Sequence, residues 1–281
     1  MTKQGADEHA AVESTTNSTR RTFLRHSGGV LAASTIGFAG AGTASANSIT
    51  RDTFTIRDDT AEETEVHVTT YTESGPTALV VGGVHGNEEA GYEAADQITN
   101  WHPDCGQLIT LPEANAPAVE AETRYGNNGD LNRQFPAGEQ PTTALARAIW
   151  DVILDYDVDI TFDLHSSYGI YEADDAPEAS GQAIYPTSAN GARANAGRTV
   201  DYMNENHDLT ERSADHEFVI GNTLTGKRPL LIHKVAADLD RPGYLVEVTQ
   251  YETGLTARIQ WSKKIVKHLL GQHSIGVSTG Q

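Results

Sequence analysis

The sequence predicts an α/β protein in which helices cover both faces of a β-sheet. Short apolar runs, typical of buried strands, alternate along the 281 residues with longer segments of helical periodicity. Polar residues that can bind metals or carboxylates follow or interrupt several of these runs. Because open α/β sheets bind ligands at the carboxyl ends of their strands, these residues predict a functional site at that end of the sheet.

Four short, mostly apolar runs are predicted as inner strands: residues 78–81, 108–111, 158–162 and 244–248. Two further segments, 53–57 and 65–71, are predicted as edge strands, since polar and apolar side chains alternate at the start of the second. No internal repeat is present. The strands therefore predict a single sheet rather than a repeat array.

Helical periodicity predicts four helices: residues 88–101, 142–156, 190–206 and 256–270. The acidic, glycine-containing stretch 168–182 is predicted as a loop near the site. It fits either a lid over the site or a plain surface loop.

A histidine and a glutamate lie at a predicted strand-to-helix corner. Residues 82–88 read Gly-Gly-Val-His-Gly-Asn-Glu, so His85 and Glu88 are three residues apart. Both side chains can point into the crevice at the strand's end and share one Zn²⁺. The same residues also fit a plain glycine turn, with Asn87 as a helix cap and the glutamates favouring the helix's positive end.

A second histidine follows the predicted strand 158–162. His165 would lie in the same crevice as His85 and Glu88, and three protein ligands leave zinc's fourth position open for water, as in catalytic sites. Asp163 lies two residues before His165, so both side chains share one side of the strand and Asp163 could orient the imidazole. Considered alone, His165 also fits a loop residue bonded to backbone.

A glycine- and asparagine-rich loop carries two arginines. Residues 129–136 read Gly-Asp-Leu-Asn-Arg-Gln-Phe-Pro, and Arg124 precedes them. A guanidinium fork beside an amide, as in Asn132 and Arg133, can bind a carboxylate. The alternative is a solvated loop with ordinary surface ion pairs.

Glu247 interrupts the apolar run 244–248. A carboxylate in such a run faces water, a metal or a partner group. Beside a metal site it would be a natural general base. Alternation on a half-exposed strand, with Glu247 on the wet face, fits the local sequence equally well.

Together these segments resemble one family, the succinylglutamate desuccinylases and aspartoacylases, which share a zinc carboxypeptidase-like fold. The resemblance covers about residues 76–250 and rests on four motifs in family order: His85-Gly86-Asn87-Glu88, Asp130-Leu131-Asn132-Arg133, Asp163-Leu164-His165 and Val246-Glu247-Val248. It implies a zinc carboxypeptidase-like mixed sheet with helices on both faces.

The resemblance also implies residue roles. One Zn²⁺ per chain would be bound by His85, Glu88 and His165, and a substrate carboxylate by Arg124, Asn132 and Arg133. Glu247 would activate water and then protonate the leaving amine. Relatives usually carry a C-terminal β-rich domain, whereas only 34 residues follow Glu247 here, so we expect a fold without that domain.

Residues 1–46 are predicted to be a twin-arginine signal peptide. Arg20-Arg21 precede Phe23-Leu24, a weakly apolar Gly/Ala-rich stretch follows, and Ala44-Ser45-Ala46 fits a cleavage site. We therefore expect export by the twin-arginine machinery, secretion without a stable membrane anchor, and a single catalytic domain over residues 47–281. The one cysteine excludes an intramolecular disulfide framework.

The chain is strongly acidic, with a net charge of −19. Beyond residue 46 it holds 36 acidic and 16 basic residues, only five of them lysines. Nucleic-acid binding needs a basic footprint and is not expected. The surface resembles that of halophilic proteins, and with the export signal it indicates a haloarchaeal origin; an ordinary acidic secreted protein is the alternative.

These predictions converge on a secreted zinc hydrolase that cleaves an amide bond near a free carboxylate in an N-acyl amino acid or short peptide. A zinc carboxypeptidase acting on peptide C-termini would use the same groups. A non-catalytic, zinc-containing binding protein is the alternative of another class. Glu247 beside all three expected ligands argues against the last.

Overall fold

The computed structural model describes residues 48–206 and 216–279. The predicted signal segment, residues 1–46, lies outside the described residues. Within the described part of the chain, no helix combines the length and apolar character needed to cross a membrane.

The centre of the fold is one mixed sheet of eight strands in the order β1-β2-β5-β3-β6-β9-β7-β8. Its strands are β1 (Ile49–Ile56), β2 (Thr64–Tyr71), β3 (Thr77–Val81), β5 (Gln107–Leu111), β6 (Ile160–Ser167), β7 (Ala183–Pro186), β8 (Val219–Ile220) and β9 (Gly243–Thr249). A separate pair joins β4 (Trp101–Pro103) and β10 (Val277–Thr279). Strands β5, β3, β6 and β9 run parallel, so their carboxyl ends lie together.

Helices cover both faces of the sheet, as predicted. They are α1 (Glu89–Ile98), α2 (Ala116–Glu120), α3 (Ala144–Asp155), α4 (Ala192–Asn206), α5 (Leu231–Lys234) and α6 (Leu255–Gln272). Alternate residues of β3 enter two cores, because successive side chains point to opposite faces. Ala78 and Val80 pack with residues of α1, α4 and α6, whereas Leu79 and Val81 pack with residues of α3 and α5.

Three predicted boundaries are corrected by the structure. The segment 65–71 is not an edge strand, because β2 pairs with β1 on one side and with β5 on the other. The predicted helix 88–101 is shorter than expected, because α1 ends at Ile98 and Trp101 begins β4. Strand β6 continues to Ser167 through its pairing with β9, so His165 lies inside the strand rather than beyond its exit.

Helix α1 approaches β6 closely at Gly91. A Cβ built at Gly91 would lie 2.3 Å from the carbonyl oxygen of Leu164, so a larger residue would push the helix away. This contact holds the first turn of α1 against the end of β6. Glu88, the residue before α1, is thereby brought beside His165.

Candidate metal centre

Three buried side chains meet at the carboxyl ends of β3 and β6. His85, Glu88 and His165 are 3%, 6% and 1% exposed. His85 Nδ1 is 2.7 Å from Glu88 Oε1, and His165 Nδ1 is 2.8 Å from Glu88 Oε2. One ligand atom from each residue lies within 4.8 Å of the others, close enough to reach a single metal ion. The structure thus brings together all three predicted ligands.

A carboxylate lies behind each imidazole. His85 Nε2 is 3.0 Å from Asp130 Oδ1, and His165 Nε2 is 3.0 Å from Asp163 Oδ1. Metal-binding histidines commonly turn their second nitrogen toward a carboxylate, which fixes the ring and its tautomer. Asp163 is fully buried, and the negative charge of its carboxylate acts directly on the His165 ring.

The charges of this cluster favour a cation. Burial acts to raise the pKa of Glu88, but the neighbouring imidazoles of His165 and His85 outweigh it and hold that pKa well below its usual range. Burial acts to lower the pKa of His165, but the charges of Asp163 and Glu88 outweigh it and raise that pKa. Two imidazoles among three carboxylates are a donor set that fits Zn²⁺.

Glu247 lies on β9 directly opposite His165 in the strand register, so both side chains point to the same side of the sheet. Its Oε2 atom is buried and has no hydrogen-bond partner within the described residues. Burial raises the pKa of Glu247 to about 8, and the charge of Glu88 adds to the rise. Glu247 therefore faces the metal centre and not the wet face of its strand.

Arg124 contacts the same cluster from the loop side. Its Nη1 is 3.1 Å from Glu88 Oε1, and its Nη2 is 3.4 Å from Asp130 Oδ2. The side chain is 37% exposed. One edge of the guanidinium thus rests on the site's carboxylates, and a positive charge stands at its rim.

Asn132 and Arg133 lie in a 3-10 turn, Leu131–Arg133, that the Asp130 side chain caps by accepting from the Asn132 backbone N–H at 3.0 Å. Asn132 is buried, with Nδ2 3.5 Å from His165 Nε2 and Oδ1 accepting from the Leu231 N–H at 3.4 Å. Arg133 is exposed and donates to the Asn132 carbonyl at 2.8 Å. The open guanidinium of Arg133 can therefore reach a ligand from solvent.

Asp130 is the site residue to which the sequence assigned no role. It begins the motif Asp130-Leu131-Asn132-Arg133, in which only the Asn132 amide and the Arg133 guanidinium were predicted to bind a ligand. The signal that could have found it is general: a metal-binding histidine needs a partner for its second nitrogen, and a carboxylate in a neighbouring motif supplies one.

Residues 74–173 match the family profile "Succinylglutamate desuccinylase/Aspartoacylase catalytic domain". The matched range contains the three metal-site residues and the loop with both arginines, and it ends before Glu247. The resemblance predicted from the motifs is confirmed over this range.

A curated relative is the N-alpha-acetyl-L-2,4-diaminobutyric acid deacetylase of Halomonas elongata, which is 35% identical over 100 residues. The aligned part covers 33% of this chain and 29% of that enzyme. The likeness in sequence is thus confined to one section of both proteins.

Solved structures extend the likeness in fold. The tripeptide-bound cell shape determinant Csd4 of Helicobacter pylori has a TM-score of 0.65 at 20% identity, covering 78% of this chain and 57% of Csd4. Its mDAP-bound form is described as a D,L-carboxypeptidase. A succinylglutamate desuccinylase from Silicibacter has a TM-score of 0.57 at 18% identity, covering 83% of this chain and 68% of that protein. These likenesses confirm the predicted carboxypeptidase-like mixed sheet.

Proposed function

From the match of residues 74–173 to the succinylglutamate desuccinylase/aspartoacylase catalytic domain, we propose that this protein is a zinc-dependent hydrolase. It cleaves an amide bond near a free carboxylate, and its substrates are N-acyl amino acids. The observation that carries the proposal is the buried cluster of His85, Glu88 and His165 with Glu247 directly opposite His165.

His85, Glu88 and His165 would hold the ion, and Asp130 and Asp163 would orient the two imidazoles. The chemistry that zinc supplies when bound is a lowered pKa of water, toward ~7, and polarisation of a carbonyl oxygen. Burial of all three ligands and the surplus of negative charge around them support this use of the site.

Glu247 is the proposed general base. It would accept a proton from the attacking water as the water's oxygen forms a bond to the acyl carbon. It would then pass that proton to the leaving nitrogen as the carbon–nitrogen bond breaks, so that a free amine and a carboxylic acid result. Its raised pKa suits both steps, because the group can hold a proton near neutral pH. Positive charge close to Glu247 would lower its pKa toward neutral pH.

Arg124 and Arg133 are the proposed carboxylate-binding groups. Arg124 lies within hydrogen-bonding distance of Glu88, and Arg133 is open to solvent on the same loop. A substrate carboxylate paired with the planar fork of Arg133 would be held in one orientation during the reaction. Asn132, already bonded within the protein, would support the loop as well as offering an amide hydrogen.

A zinc carboxypeptidase is the second candidate. It is favoured by the fold likeness to tripeptide-bound Csd4 and would use the same base and the same arginines on a peptide C-terminus. The chain matches 57% of Csd4's length and 29% of the deacetylase's. A non-catalytic binding role is disfavoured by the Oε2 atom of Glu247, which is buried and has no hydrogen-bond partner within the described residues.

We also propose that the protein acts outside the cytoplasm after twin-arginine export. Its net charge of −19 and its few lysines support work in high salt, as expected for a haloarchaeal protein. Scavenging of small extracellular amides would suit this location.

The experiment that tests the function is a hydrolysis screen of residues 47–281 loaded with Zn²⁺ in high salt. N-acetyl and N-succinyl amino acids, matched dipeptides and the carboxamides of each would be compared. Turnover of acyl amino acids above dipeptides supports the deacylase, and the reverse supports the carboxypeptidase. Stoichiometric zinc without turnover of any compound would support a non-catalytic binding protein.

A further inference from the structure

Lys234 is a buried charged side chain that the proposed reaction does not use. It is the last residue of α5 and is 1% exposed. Its Nζ donates to the carbonyls of Pro136 at 2.9 Å and Glu139 at 2.6 Å, and to Asp238 Oδ2 at 2.5 Å. The ring of Trp150 lies 4.7 Å away. An ammonium has three N–H donors, so each donor of Lys234 has an acceptor.

The two carbonyls belong to the chain that continues directly from Arg133. Further bonds join this stretch to the segment around Lys234. The Phe135 N–H donates to the Pro229 carbonyl at 3.0 Å, and the Gly138 N–H donates to Asp238 Oδ1 at 2.8 Å. Residues 135–139 are thus attached to residues 229–238 by four hydrogen bonds, and two of them end on the Lys234 ammonium.

The backbone after Lys234 is shaped for these contacts. A π-helical turn, Val235–Leu239, follows it and ends at Asp240, whose φ is 51°. Such wide turns are rare and are frequent at functional sites. Here the turn carries Asp238, which accepts from Lys234 with one oxygen and from the Gly138 backbone with the other.

We propose that Lys234 is a positioning residue for the substrate's carboxylate. By fixing residues 136–139 it sets the place of Asn132 and Arg133, which end the preceding turn. The inference rests on the proposed function, because it takes Arg133 as the carboxylate-binding group. An apolar side chain of similar length would fill the same space. The ammonium is therefore needed for its hydrogen bonds to the carbonyls of residues 136 and 139, and not for packing.

The test is Lys234→Met, with Lys263→Met as the matched control. Lys263 lies on α6 and donates to Gln97 at 2.8 Å, away from this loop. For Lys234→Met we expect unchanged zinc content, a kcat within roughly threefold, and a KM for an N-acyl amino acid raised about tenfold or more. Turnover of the matching carboxamide should change little, so acid-over-amide selectivity falls. Equal losses for acid and amide would overturn the proposal, as would unchanged kinetics.

A second measurement does not depend on activity. Deuterium exchange of the zinc-loaded protein should show faster exchange at the amides of residues 134–139 in Lys234→Met, with β6 unchanged and Lys263→Met like wild type. Unchanged exchange in this stretch would overturn the proposal. If Lys234→Met fails to fold, the same kinetics and deuterium exchange are measured on Asp238→Asn. That variant keeps the shape of the side chain and removes the negative charge that pairs with Lys234.

The two proposals fail in different ways. Equal turnover of acid and carboxamide by the wild-type protein would contradict the carboxylate role of Arg133. It would do so even if deuterium exchange of residues 134–139 were faster in Lys234→Met. A wild type that prefers the acid, with a variant that keeps this preference, would contradict the role of Lys234 alone.

Discussion

Glu247 lies opposite His165, residue against residue, in the parallel register of β9 and β6. Two neighbouring strands of one sheet therefore set the separation of the proposed base and a proposed metal ligand. Glu88, by contrast, reaches the centre from the residue before α1. The carboxylate of Glu247 is thereby held beside the proposed ligands, and within the described residues its Oε2 atom forms no hydrogen bond.

The first prediction is that Glu247 acts as a base and not as a fourth ligand. Glu247→Gln keeps the side chain's shape but cannot take a proton. We expect it to retain zinc and its affinity for a carboxylate inhibitor, with kcat lowered by roughly 10²–10⁴-fold. Metal analysis and steady-state kinetics check this. Loss of zinc would make Glu247 a ligand, and near-normal kcat would make it structural.

The second prediction concerns pH and the metal-free protein. Burial raises the pKa of Glu247 to about 8 from its unfolded value of 4.5, so the folded state binds the extra proton between these values. The free energy of unfolding should then fall as pH rises from 5 to 9, relative to Glu247→Gln. Urea unfolding of both proteins across this range checks the sign. Parallel pH profiles for the two proteins would contradict a raised pKa for Glu247.

The third prediction is that Arg133 recognises a carboxylate. Arg133→Ala should lose kcat/KM on carboxylate substrates by about 2–5 kcal/mol if the pair is desolvated, and should change little on their carboxamides. Arg51→Ala is a suitable control, since Arg51 is bonded to the carbonyls of Thr99 and Asn100 on another part of the surface. A wild type that turns over acid and amide equally well would exclude this role.

The grouping of His85, Glu88 and His165 was predicted from the sequence because each pair of neighbours follows a predicted strand. His85 and Glu88 are three residues apart, and Asp163 and His165 two apart, so local geometry fixes each pair, and the parallel order of the strands brings the two pairs together. The four inner strands were predicted because short, mostly apolar runs are typical of strands buried on both faces.

The parts that could not be predicted depend on long-range packing. Strands β7 and β8 have four and two residues, too few to show a period. Strand β7 joins the sheet by pairing with β9, and β8 pairs with β7. Lys234 has no sequence motif, and its acceptors Pro136 and Glu139 lie nearly a hundred residues earlier. Asp130 similarly depends on a contact with His85 across 45 residues.

The fourth prediction concerns export. Arg20 and Arg21 lie outside the described residues, so the test is made on the segment itself. A folded reporter carrying residues 1–46 should leave a haloarchaeal cell only when both arginines are present. A reporter with both arginines replaced by lysine should stay inside the cell, because the twin-arginine export machinery recognises the arginine pair. Unchanged export of the lysine version would rule out that route.

The last prediction is that Asp130 supports the metal through His85. Its Oδ1 lies 3.0 Å from His85 Nε2, the nitrogen that faces away from Glu88. Asp130→Asn should therefore weaken zinc binding by roughly 10–100-fold, the usual effect of removing a partner behind a metal-binding imidazole. His165→Ala should lose far more zinc, because a ligand itself is removed. Zinc titration against a chelator measures all three proteins.

Asp130 also contacts Arg124, at 3.4 Å, so a second route to lost activity exists. Zinc affinity separates the two routes, because a displaced Arg124 would raise KM for carboxylate substrates without weakening the metal. Asp201→Asn, on the exposed side of α4, is the matched control and should behave as wild type. If Asp130→Asn bound zinc as tightly as that control, Asp130 would serve the arginine and the 3-10 turn and not the metal centre.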